Sequence, residues 1–366
     1  MKKYIMCLML VLFIRPVFGS TYAARLERVT DAHMRESVLR ANLTVGDLKG
    51  GGLISSGTPY YVDSVNGANN RSGKTWDLAV ASIDTAINLV AAAITAGTEK
   101  GDPIIYVREG HNEGGSTSAI FDADVDGLKI YGLGQGNQKP TLDFDGATAT
   151  CAIGADGVTI YNIRFRASTT TVKGEIAQND LTRALTVDAG ADYAHIIGCD
   201  FGFREAAGDE FLYALVIGAA TGTVVEDCFF DSGEEAAAAA IVLAGSDLTI
   251  LRNNKIYGDY TVACIHSATT TNTRLAYSHN KLWNGVHSGL NAKPVVSLKA
   301  TDTGFSEDND AYCNVATVGA AFVGTKIFHK ANYYSEDEAG TKTAFPFDNA
   351  STTGGTGTSI TMSGDD

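Results

Sequence analysis

A short segment recurs along this chain at a drifting interval, and that recurrence limits the fold more than any other feature. Residues 128–133 (LKIYGL), 158–165 (VTIYNIRF), 194–201 (AHIIGCDF) and 223–230 (TVVEDCFF) form one set. Residues 252–257 (RNNKIY), 278–283 (SHNKLW), 307–312 (EDNDAY) and 330–334 (KANYY) carry a related signature. The interval between matching residues runs from 23, Asn309 to Asn332, up to 36, Phe165 to Phe201. A period of that size with short β segments in each repeat suits a solenoid, in which each coil contacts only its neighbours. The competing arrangement is an ordinary β-sandwich whose spacing arises by chance.

Coils of short parallel strands stack about 4.8 Å apart, so equivalent residues of successive repeats form columns. The alignment places Ile163, Cys199, Cys228, Asn254, Asn280, Asn309 and Asn332 in one column. Cys199 over Cys228 is then a buried thiol pair. The four asparagines form an internal amide ladder, each side chain bonding its neighbour and the turn backbone. Phe165, Phe201, Phe230, Ile256 and Leu282 fill the core beside it.

Composition narrows the function classes. With 45% hydrophobic and 19% charged residues the chain is not of the disordered kind, and its 40 glycines follow no three-residue period. Forty-two acidic against 28 basic residues give a formal net charge of −14, which argues against a nucleic-acid binder.

The organisation expected along the chain has four parts. Residues 1–23 have the layout of a secretory signal peptide: Lys2 and Lys3, an apolar stretch from Tyr4 to Ile14, then small residues at Gly19, Ser20 and Ala23. The stretch is shorter than the roughly 20 residues of a membrane span. Residues 24–57 read as a helical arm and glycine-rich linker, 58–335 as the solenoid, and 336–366 as a C-terminal cap or flexible tail. A helix is expected from Leu78 to Thr95 with Ile83, Ile87, Val90 and Ile94 on one face. Removing the leader takes Cys7 and leaves Cys151, Cys199, Cys228, Cys264 and Cys313, an odd number without tight spacing, read as buried free thiols.

Three stretches carry a family resemblance: 60–67 (YYVDSVNG), 83–87 (IDTAI) and 104–113 (IIYVREGHNE). They resemble the opening of the right-handed parallel β-helix proteins, the pectate-lyase-like or pectin-lyase-like superfamily. Residues 130–141 (IYGLGQGNQKPT) look like a subgroup common in bacteriophage and environmental viral sequences. The resemblance spans roughly residues 58–335. It implies an all-β, right-handed parallel β-helix with an N-terminal capping helix over the open end. The fold carries lyases, hydrolases, tail spikes and inert modules alike, so it does not by itself name an activity.

Two chemistries were sought in the residues: a lyase base with carboxylates for calcium, and paired carboxylates of a hydrolase. The acidic candidates are Asp227, Asp231, Glu234 and Glu235 on one repeat and Asp200, Glu205, Asp209 and Glu210 on the repeat before it. Among them Asp200, Asp209, Asp227, Asp231 and Glu234 are the catalytic candidates, set against the plainer role of keeping an acidic solenoid soluble. Arg164, Lys255 and Lys281 form a basic column that also contains Asp200, where salt bridging is the plainer role. Asp63, Asn66 and Asn69, with Asn70, are calcium candidates, although a glycine-rich turn accounts for them equally well. No cofactor is required. His266, His279 and His287 lack metal-ligand spacing. Tyr257, Trp283, Tyr312 and Tyr334 form either an exposed sugar-binding ladder or core, because the side they face is not fixed by sequence.

The first expectation for function is a non-enzymatic structural or surface-binding protein, secreted, on the cell surface or virion-associated, with a polysaccharide or cell-surface glycan as partner and no nucleic acid. The alternatives are a secreted polysaccharide lyase or glycoside hydrolase with an acidic site near residues 200–235, and a self-assembling surface or filament subunit. A homo-oligomer, trimer or filament, fits either structural reading.

Overall fold

The computed structural model describes residues 57–99, 101–115, 119–146, 148–167, 181–203, 210–233, 237–285, 293–313, 318–335 and 343–344. The leader, nearly all of the arm and tail, Cys7, Glu205, Asp209, Glu234, Glu235 and His287 lie outside the described residues.

The described chain is a parallel β-helix. Its strands fall into three sheets, visited in the same order on every coil from Ile104–Val107 onward. The first sheet has ten strands, from Pro59–Val62 to Lys326–Lys330. The second begins at Asn112–Gly115 and reaches Tyr333–Ser335, where Thr343–Ala344 adds an antiparallel end strand. The third has eight strands, from Ala119–Ala123 to Phe322–Val323. All other pairings are parallel. Among the described residues no helix is long and apolar enough to cross a membrane.

From the coil of Asn162 onward the link from first to second sheet is two residues long, and it explains the repeat. Its first residue is left-handed on successive coils: Asn162 (φ 58°), Gly198 (59°), Asp227 (54°), Asn253 (57°), His279 (56°), Asp308 (51°) and Ala331 (53°). Asn, Asp and Gly tolerate that region; His279 is held in it by the next coil, its N–H donating to the Glu307 carbonyl at 3.0 Å. The second residue points inward. It is Ile163, Cys199 or Cys228 on the earlier coils and Asn254, Asn280, Asn309 or Asn332 on the later ones, all buried. Each Asn Oδ1 accepts from the backbone N–H of the preceding coil, 3.0 Å for Cys228 to Asn254, Asn254 to Asn280, Asn280 to Asn309 and Asn309 to Asn332. The core beside it stacks Phe165, Phe201 and Phe230 face to face, with centroids 4.8 and 4.6 Å apart. The five described cysteines are free and buried, and burial pushes the Cys151, Cys228 and Cys264 thiols well up.

The helix differs from expectation. It runs Ile83–Thr95, not from Leu78, because Trp76–Leu78 forms a 3-10 turn and Val80 pairs with Val62. Ser82 caps it, its hydroxyl accepting from the Thr85 N–H. Ile83, Ala86, Ile87 and Val90 are its buried face, whereas Ile94 is 42% exposed. This face lies against the first strand of the first sheet and the first strand of the third.

Candidate functional site

On a strand, side chains alternate between core and solvent, so fixing Phe165, Phe201 and Phe230 inside fixes which residues point out of the second sheet. Two outward columns follow from the register. One contains Thr141, Arg164, Asp200, Phe229, Lys255, Lys281, Asp310 and Tyr333. The other contains Asp143, Arg166 and Gly202 on neighbouring coils, then Asp231 with Tyr257, and Trp283 with Tyr312.

The first column brings Arg164, Asp200, Lys255 and Lys281 together, with Phe229 between acid and lysines. Asp200 is bound by cations: Lys139 Nζ donates to Oδ1 at 2.7 Å, and Arg164 Nη2 to Oδ2 at 3.4 Å. Lys139 also donates to the Gly198 carbonyl at 2.7 Å and Arg164 to the Gly136 carbonyl at 3.0 Å. In the second column Arg166 clasps Asp143 through two bonds, Nε at 2.5 Å and Nη2 at 2.7 Å. That pairing raises the Arg166 guanidinium above its ordinary range.

Gly202 interrupts this wall. A Cβ built there meets nothing within 4 Å. The result is a hollow of about 190 Å³ lined by Arg164, Arg166, Asp200, Phe229 and Asp231 over Phe201 and Gly202. Phe229 is 38% exposed there. Asp231 Oδ1 accepts from the Gly233 N–H at 2.9 Å. The hollow offers cationic forks, carboxylate acceptors and one aromatic surface within a few side chains of each other.

The remaining sequence candidates separate. Asp227 is exposed on the turn between the first two sheets, away from the hollow's lining. Glu210 is buried. Both oxygens of Asp63 are occupied as acceptors: Oδ1 by the N–H groups of Val65 (2.9 Å) and Asn66 (3.1 Å), Oδ2 by Asn66 Nδ2 (3.0 Å) and Arg108 Nη1 (2.7 Å). Asn69 Oδ1 accepts from the Ala81 N–H at 3.0 Å. These three hold a turn together. Among the described residues no three His, Cys, Asp or Glu side chains are grouped to hold a metal ion. His279 pairs with Asp308 at 3.5 Å, and His266 lies on the third sheet.

The aromatic residues divide by one position. Tyr257, Trp283 and Tyr312 follow their asparagines by three and lie on the outward side of the second sheet, Tyr257 and Trp283 half-buried and Tyr312 buried; Tyr334 follows Asn332 by two and is buried in the core. The outer rings stack on one another, Tyr257 on Trp283 at 4.3 Å and 9°, Trp283 on Tyr312 at 4.5 Å and 5°. Both faces of Trp283 and one face each of Tyr257 and Tyr312 are covered by stacked neighbours, and the Trp283 Nε1 edge is buried, so the ladder offers no run of open platforms for sugar rings. Only its end beside Phe229, tilted 47° from Tyr257, departs from the stack. Sequence reasoning missed Gly202, Arg166, Asp143, Lys139 and Phe229. Alternation outward from the Phe column would have found Arg166 and Gly202; Lys139 comes from a loop and carries no such signal.

No family model matches the sequence, and no curated protein matches it. Among solved structures, the pectin methylesterase of Aspergillus niger superposes with a TM-score of 0.47 at 14% identity, over 77% of this chain and 87% of that one. DFA-IIIase from Arthrobacter chlorophenolicus A6 gives 0.45 at 12%, over 76% and 80%. The Dettilon tailspike protein gives 0.32 at 13%, over 70% of this chain and 50% of that one. The parallel β-helix itself rests on this chain's own three sheets and their register.

Proposed function

We propose that this chain is a non-enzymatic surface-binding β-helix, extracellular or virion-associated, that holds one residue of a polysaccharide or cell-surface glycan in the hollow over Gly202. The hollow is the observation that carries the reading. Guanidinium forks suit hydroxyl and carboxylate oxygens, carboxylates accept from hydroxyls, and an aromatic side chain takes the C–H face of a sugar. At about 190 Å³ the hollow is smaller than the enclosed sites of small-molecule enzymes, about 300–1,000 Å³. It suits contact with a chain lying across the sheet rather than engulfing a substrate. The carboxylates around it already have donors: Asp143 has Arg166, Asp200 has Lys139 and Arg164, and Asp231 has the Gly233 N–H. This favours binding over the two free carboxylates that a hydrolase sets across its scissile bond. In this reading the helix Ile83–Thr95 covers the first coil, and the coils stack as a rigid display surface for a monomer, trimer or filament.

The test is a polysaccharide panel with the full chain and with Gly202→Leu, with and without calcium. Retention, new reducing ends and the ultraviolet absorbance of unsaturated uronates are read together. Binding without cleavage, lost in Gly202→Leu, is expected. Cleavage by the parent chain would replace this reading with the lyase or hydrolase, and absence of both would leave the self-assembling subunit.

A further inference from the structure

The third sheet carries a second hollow, on a different face from the first. Its volume is about 470 Å³, within the range of small-molecule sites, about 300–1,000 Å³. Arg183, Tyr213, Val216, Val242, His266 and Ala268 line it. The register makes its floor: Val216, Val242 and His266 follow one another in a single outward column, and Arg183 lies beside Tyr213. Two valines in succession on an outward column are unlike the second sheet, whose outward columns are mostly charged or aromatic. Val242 is 6% exposed although it points away from the core.

Two polar groups border it. His266 Nδ1 is buried with no hydrogen bond. Arg183 is exposed and, among the described residues, is the one arginine without an ion pair or hydrogen bond. The others are each held: Arg71 by backbone carbonyls, and Arg108, Arg164, Arg166, Arg252 and Arg274 by carboxylates. In a chain with net charge −14 an unpaired guanidinium beside an apolar floor is a specific arrangement. A guanidinium presents two parallel donors that match a carboxylate, and the valines suit a body without hydroxyls.

We infer that this hollow is a binding site for a small carboxylate with an apolar body, its anionic end on Arg183 and its body on Val216 and Val242. The site is independent of the hollow over Gly202. The probe is benzoate, titrated by calorimetry into the full chain, with benzamide as the neutral counterpart. Benzoate is expected to bind with a dissociation constant of about 1 mM or tighter. Arg183→Gln should weaken it roughly tenfold, and benzamide should bind the parent chain roughly tenfold more weakly, in keeping with a charge-assisted pair. Val216→Trp, which fills the floor from an outward position, should abolish binding, while Gly202→Leu should leave it unchanged. Absence of benzoate binding overturns the proposal. So does equal affinity for benzoate and benzamide, an unchanged affinity in Arg183→Gln, or loss of binding in Gly202→Leu.

Discussion

Asn280 Oδ1 accepts two hydrogen bonds from Asn254, one from its backbone N–H and one from its Nδ2, both at 3.0 Å. Asn280 in turn gives its own N–H and Nδ2 to Asn309 Oδ1, at 3.0 and 2.9 Å, and Nδ2 also to the Leu251 carbonyl at 3.0 Å. Each buried donor of one coil is therefore satisfied by the next. Asn280→Leu orphans the Asn254 donors, and a buried polar group left unpaired costs about 1–3 kcal/mol. The substitution is expected to lower unfolding free energy by about 3 kcal/mol or more. Lys281→Leu, next in sequence but exposed on the second sheet, should change it by less than about 0.5 kcal/mol. Urea unfolding followed by circular dichroism reads the difference, and equal effects would place the ladder elsewhere.

The ladder was legible because a solenoid turns spatial stacking into sequence recurrence. Asn254, Asn280, Asn309 and Asn332 share an environment in which each Oδ1 meets a backbone N–H of the coil before it, so identity repeats where position repeats. The same logic gave the Phe165, Phe201 and Phe230 core. The hollow over Gly202 was not legible in that way. It exists because one coil departs from its neighbours, and an absent side chain leaves no recurring residue to notice. Lys139 reaches Asp200 across 61 positions of sequence, a distance no repeat alignment bridges. The helix start was misplaced for a local reason: residues 78–82 are apolar and small enough to continue the helix, but the Val62–Val80 pairing claims them.

Trp283 tests what the outer aromatic ladder is for. Its indole is sandwiched between Tyr257 and Tyr312, with nearly parallel rings on both sides. Aromatic pairs contribute about 0.5–1.5 kcal/mol each beyond area burial. Trp283→Ala is expected to cost about 3 kcal/mol of stability, consistent with large aromatic truncations. Glycan retention measured well below the melting transition should stay within about twofold, since the ring faces are already covered. Loss of retention with unchanged stability would instead make this ladder the glycan surface.

Asp63 should give the acid limb of the stability profile. Burial acts to raise its carboxyl, but the hydrogen bonds from Asn66, Val65 and Arg108 outweigh that and hold it at about 2, below the ordinary 3.8. A carboxyl depressed on folding contributes stability that is fully present above its unfolded value and is lost as the pH falls through its folded one. The window is therefore about pH 4 down to about pH 2, worth about 2 kcal/mol. In Asp63→Asn the decline across that window should become shallower by about that amount. Unfolding free energies at intervals from pH 5 to pH 2 read the slope. Parallel slopes for the two chains would remove Asp63 from the acid response.

His329 should act in a different window. It is 4% exposed, and its Nδ1 lies 3.2 Å from Asn332 Nδ2, at the last asparagine of the described ladder. Burial lowers its pKa from 6.5 to about 4. A base whose folded pKa is depressed costs nothing above the unfolded value. Below it the unfolded chain takes up the proton first, so stability declines from about pH 6.5 to about pH 4, by about 3 kcal/mol. His329→Gln keeps an acceptor for Asn332 without a titrating ring, so it should flatten this limb while leaving the Asp63 limb below it in place. Two-dimensional NMR titration of the His329 ring gives a second reading, since a midpoint near 6.5 in the folded chain would show the ring open to water. That result would remove His329 from the acid response, whereas a midpoint near 4 would tie the decline between pH 6.5 and 4 to protonation of the buried ring.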